Sequence, residues 1–233
     1  MKLVFTPDWF LGFDVGIELF SFIILSLLLF YTIRTYKLTK NKKALYLGIG
    51  FFLVALAELA SILTKSILYY DTTITRQVGQ MIITYHVVKS VDFLYEAGFF
   101  FEKLLTLFGF YIIYRFPLKK VATSDLVLTS LFIVISAFLG QFFYFVFHII
   151  TLVLLVLITT NFLKIYDKNK LKNTLILIWG FSLLTLSHII FAFSKVKSAY
   201  VIAEIIQLIS YLAFLIVIIM IAKKENAKPR KPK

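Results

Sequence analysis

Glu58, Glu96, His148, His188 and Glu204 stand inside long apolar runs, where an ionised side chain costs at least about 2.5–3.5 kcal/mol at the centre of a bilayer. Carboxylate oxygens and imidazole nitrogens together suit hard-to-borderline cations such as Zn²⁺, Mn²⁺ or Fe²⁺, and a layer of them can also pass protons. These residues are the expected metal ligands, and a divalent metal ion is the cofactor their chemistry points to. Asp14, Glu18, Asp92, Lys103 and Gln207 form a supporting polar cluster.

The spacing of these residues places them on shared helical faces. At 100° per residue, Lys89, Asp92, Glu96 and Lys103 fall within about 60° of arc, with Thr106 close by. A stripe carrying both signs must face a bundle interior or a water-filled cavity rather than lipid. Asp14 and Glu18 share one face, Glu204, Gln207 and Tyr211 another, and Thr185 and His188 a third.

The elements that must position these groups are membrane-spanning helices. The 233 residues are 61% hydrophobic and 16% charged, too poor in polar surface for a water-soluble domain. Apolar runs of about 18 residues or more recur along the chain, continuous rather than alternating with period two, which excludes a β-barrel. Seven spans follow, at 10–33, 44–64, 90–114, 124–140, 142–164, 173–195 and 198–222. The expected fold is all-α, a polytopic membrane helix bundle over 1–222 followed by a basic tail at 223–233. The first run lacks a basic leader and a small-residue cleavage site, so it is expected to be retained. The fourth and fifth spans should form a tight hairpin at Gly140–Gln141, and 65–90 is the single long loop. Within that loop, 74–88 is expected either as an amphipathic surface helix or as an extension of the third span. All four prolines, Pro7, Pro117, Pro229 and Pro232, lie outside or at the edge of spans, so the helices should be unkinked.

Basic residues set the expected orientation. Of 25 lysines and arginines, 18 fall on one side, from Arg34 through Lys43, Arg115 through Lys120, Lys164 through Lys172, and Lys223 onward. The positive-inside rule makes that side cytoplasmic, with the N-terminus outside. Glu18, Glu58, Glu96, His148, His188 and Glu204 then share one outward layer, roughly 5–10 Å from mid-bilayer at 1.5 Å of rise per residue. Six helices supply one group each to that layer. The fourth supplies none.

The expected localisation is the cell membrane, multi-pass, with the lipid bilayer as the main partner. The tail KKENAKPRKPK can bind anionic lipids, and a protein partner in the membrane or cytoplasm would be needed for signalling output. No nucleic acid is expected, since no folded basic surface carries it.

The function expected is binding of a cation or protons for transport or sensing. One alternative is a small-molecule receptor or sensor whose pocket is lined by Trp9, Phe10, Tyr95, Phe99 and Phe100, holding an amine by charge and cation–π contact. An interfacial aromatic belt is the alternative reading of such residues and the one expected for Trp9 and Tyr200. Another alternative is a membrane subunit of a larger complex, in which the ionisable groups only pair with one another and lock the helices. The pattern points away from an enzyme, because HExxH and GxSxG motifs are absent and the chain has no cysteine. A metal-dependent intramembrane hydrolase would have to use His148 and His188 with Glu96 or Glu204. Haem held between the two histidines is a further possibility for that pair. His86 falls in the long loop and is expected to be interfacial. A retinal-type Schiff base is excluded by the lack of a mid-helix lysine in the last span.

Overall fold

The computed structural model describes residues 6–40, 42–78, 84–115, 123–193 and 197–226, of which 8, 39, 43, 68–78, 84–92 and 222–226 as backbone only. A short 3-10 turn, Asp8–Phe10, leads into α1 (Phe13–Thr39). Then follow α2 (Lys42–Val78), α3 (Thr84–Arg115), α4 (Thr123–Phe142), α5 (Tyr144–Asn169), α6 (Lys172–Phe193) and α7 (Lys197–Asn226). Among the described residues, seven helices are long and apolar enough to cross a membrane. The protein is therefore a multi-pass membrane protein. Large apolar side chains such as Phe30, Phe132, Trp179 and Ile219 point outward, which lipid tolerates and water does not.

Local sequence explains where the helices start and stop. Gly12 takes φ +92°, and Asp14 Oδ1 accepts the backbone N–H groups of Gly12 at 3.0 Å and Val15 at 2.9 Å. That carboxylate thus satisfies donors that the first turn of α1 leaves open, at the end where the helix dipole favours a negative charge. α1 and α5 both end on a lysine in the left-handed region, Lys40 and Lys170, whose N–H groups close back on Tyr36 and Tyr166.

In the segment 65–90, the extension of the third span is seen from Thr84, whereas the rest departs from the loop expected there. α2 continues to Val78 and α3 begins at Thr84, so most of the segment is helical. Residues 65–78 contain neither glycine nor proline, and Gly79 is the first helix breaker after them. His86, Lys89 and Asp92 lie on the α3 extension, with their side chains outside those described. The α4–α5 turn falls at Phe143, two residues beyond the expected position. Lys223 to Asn226 continue α7, and the rest of the basic tail lies outside the described residues.

Packing is mostly between neighbours in sequence, with two exceptions that define the architecture. α1 packs against α7, and α3 packs against α5 as well as α4. The helices α1, α2, α3, α5, α6 and α7 thereby form a closed ring, with α4 on its outside. The six helices of the ring are the six expected to carry an ionisable group. One end of the ring is filled by an apolar core that includes Phe51, Phe110, Phe162, Phe181, Tyr211 and Phe214. Its aromatic rings stack or meet edge-on, as Phe51 on Phe181 at 6.2 Å and Phe51 on Phe214 at 5.7 Å. α2 and α3 meet through paired glycines. A Cβ built on Gly50 would stand 2.9 Å from the Gly109 carbonyl oxygen, and one on Gly109 2.8 Å from that of Gly50. Small residues at such a contact let two membrane helices approach backbone to backbone.

Candidate ligand cavity

The ring is not filled at its other end. A cavity of about 540 Å³ opens among α1, α2, α3, α5, α6 and α7, with the α4–α5 turn at its edge. Its floor is Val54, Phe110 and Tyr211, which belong to the apolar core beneath. All five residues expected as ligands, Glu58, Glu96, His148, His188 and Glu204, border this one space, and so do Glu18, Lys103 and Gln207. Asp14 lies behind the wall, fully buried against Lys65. Asp92 lies outside the described side chains.

The acid-rich wall comes from α1, α2 and α7. Glu18 Oε1 accepts from Lys65 Nζ at 2.5 Å and from Ser61 Oγ at 2.9 Å, while Lys65 also meets Asp14 Oδ2 at 3.2 Å and the Tyr200 hydroxyl at 3.3 Å. One ammonium therefore holds two carboxylates, joining the first turns of α1 to α2. Glu58 Oε1 accepts from the Tyr211 hydroxyl at 2.7 Å and from Gln207 Nε2 at a long 3.5 Å; Gln207 also donates to the Tyr211 oxygen at 3.2 Å. Glu204 is buried on the same wall.

The facing wall is made by α3, α5 and α6. His148 Nδ1 and His188 Nδ1 stand 3.0 Å apart, both rings buried among Phe147 and Phe191. Hydrogen bonding across that gap requires one ring to donate and the other to accept. So close a contact leaves no room for an iron atom between them, which removes the haem arrangement. Lys103 is buried, donates to the Phe99 carbonyl at 3.3 Å, and lies 5.1 Å from the centre of the Phe99 ring and 5.9 Å from that of Phe147. Gln141 at the α4–α5 turn donates to the Glu96 carbonyl at 2.7 Å, fixing the turn against α3, and Glu96 itself is exposed at the rim.

Among the described residues, no three histidine, aspartate or glutamate side chains converge as a metal-binding group. Two unpartnered atoms stand out instead. Glu18 Oε2 and His148 Nε2 are buried and have no hydrogen-bond partner among the described residues. Such atoms are rare in folded proteins.

Lys65 is a central member of this site that the sequence reading assigned to the loop. Its signal was periodic: Glu58, Ser61 and Lys65 follow i, i+3, i+7 and share a face. Glu102 also borders the cavity, next to Lys103. Tyr200, read as a belt residue, is buried at the cavity instead, whereas Trp9 is 68% exposed. Of the aromatics expected around a pocket, Tyr95 and Phe99 line it. Phe10 packs against Trp9 and Phe13, and Phe100 joins the cluster between α3 and α4. No family model, curated protein or solved structure matches the chain, so its function is argued from these residues alone.

Proposed function

We propose that this membrane protein binds a small organic ammonium compound in the cavity, for sensing or transport. The observation that carries the reading is a surplus of carboxylates over ammonium groups around a cavity with an aromatic wall. Glu18, Glu58, Glu96, Glu102 and Glu204 border the cavity against Lys65 and Lys103, and Lys65 is already held by Asp14 and Glu18. Glu58 and Glu204 are thus the acids available to an entering cation, with Tyr95, Phe99, Tyr144 and Phe191 supplying ring faces.

Size favours an organic cation over a bare metal ion. A space of about 540 Å³ lies within the range of small-molecule pockets, about 300–1,000 Å³, and far exceeds what a divalent ion fills. The apolar floor at Val54, Phe110 and Tyr211 supports a pocket entered from one end rather than an open pore.

Isothermal titration of the purified protein in nanodiscs tests the reading, using butylamine, butanol and Zn²⁺. Saturable binding of butylamine, weakened at least about tenfold in Glu204→Gln and in Glu58→Gln, is the expected result, since charge-assisted contacts contribute about 1.5–3 kcal/mol. Butanol should show no comparable affinity. Tight binding of Zn²⁺ with none of the amine would replace this reading with a metal site.

A further inference from the structure

We infer that the ligand is a zwitterion of the amino-acid type, an ammonium joined through a short chain to a carboxylate; this rests on the ammonium-binding reading above. The inference comes from the wall opposite Glu58 and Glu204. Lys103 is 8% exposed, and its ammonium meets one carbonyl oxygen at 3.3 Å and two ring faces. Among the described residues, no carboxylate stands within 4 Å of it. An ammonium has three donors, and burial without an anionic partner is unfavourable, so this group retains capacity for an anion.

His148 supplies a second, independent sign. It neighbours Phe147, the ring that Lys103 overlies, at 5.0 Å between ring centres, and it is itself 6% exposed. Its Nε2 has no partner among the described residues. When His188 provides the proton shared across the 3.0 Å Nδ1 contact, the proton of a neutral His148 sits on Nε2 and makes that atom a donor. A carboxylate answers both groups, one oxygen on the Lys103 ammonium and the other on His148 Nε2–H. The ammonium end then goes to Glu58 and Glu204 on the far wall.

The test compares length-matched pairs, straight-chain amines against the corresponding ω-amino acids of two to six carbons, by isothermal titration on the full chain in nanodiscs. At one or more lengths the amino acid should bind at least about tenfold tighter than its amine, the scale of one charge-assisted pair. Simple carboxylates such as butyrate should not bind measurably. Lys103→Met should bring the favoured amino acid down to the level of its amine, and His148→Phe, which keeps the ring bulk, should weaken it in the same direction. If wild-type protein binds the amine as well as the amino acid at every length, the zwitterion is overturned while the ammonium reading stands. If neither class binds, both fall. The wild-type comparison decides even where a variant fails to fold.

Discussion

Lys65 Nζ lies 2.5 Å from Glu18 Oε1, and through this contact α2 is fastened to α1 inside the apolar bundle. The same ammonium reaches Asp14, whose other oxygen caps the start of α1. Helix start, helix pairing and cavity wall are therefore one electrostatic unit. Removing one member of a buried ion pair leaves an uncompensated charge and costs about 3–5 kcal/mol. Lys65→Met should lower stability in detergent by that order, measured by thermal or denaturant unfolding. The combination Lys65→Met, Asp14→Asn and Glu18→Gln should recover most of the loss, because no unpaired charge remains.

The histidine pair makes a spectroscopic prediction. Two neutral imidazoles joined through their Nδ1 atoms at 3.0 Å must adopt opposite tautomers, one protonated on Nδ1 and the other on Nε2. ¹⁵N spectra of histidine-labelled protein, with His86→Gln to remove the third signal, should show the two different ring states. His188→Phe should change the His148 pattern as well as deleting its own. Two rings in the same tautomer would contradict the bond.

Closeness of α2 and α3 depends on Gly50 and Gly109. The backbone of each occupies the space where the other's Cβ would go, at 2.9 and 2.8 Å, and backbone atoms cannot swing aside as a side-chain tip can. Gly109→Ala should destabilise the protein by about 1–3 kcal/mol, the usual scale for overpacking a close contact. Since α3 carries Glu96, Glu102 and Lys103 and α2 carries Glu58, the same change should also weaken ligand binding, and the added Cβ would press on Val54 at the cavity floor, 2.6 Å from its Cγ2. Gly16→Ala, at a position with open space around it, is the matched control.

Much of this architecture is legible in the chain because a membrane penalises errors so heavily. Seven apolar runs set the helices, and the cost of burying charge made Glu58, Glu96, His148, His188 and Glu204 visible as a set. What periodicity could not give was which groups pair. Lys65 looked like a loop residue because the apolar run fades near it, yet the absence of glycine or proline before Gly79 carries α2 onward and turns that lysine inward. Residue type alone also left the contacts open: carboxylates and imidazoles at one depth suggest a metal, and the structure adds that Glu58 accepts from Tyr211 and that His148 meets His188. The ring itself was unreadable from spacing, since the contact of α1 with α7 joins opposite ends of the chain.

The most direct test of an ammonium site inside the ring is to map where such a ligand binds. A short alkylamine bearing a diazirine should, on irradiation, label residues of the cavity wall such as Phe99, Tyr144, Phe147 and Tyr200, with labelling suppressed by excess amine and reduced in Glu204→Gln. Labels that appear only on outward-facing residues such as Phe30, Phe132 or Trp179, unaffected by competitor, would contradict it.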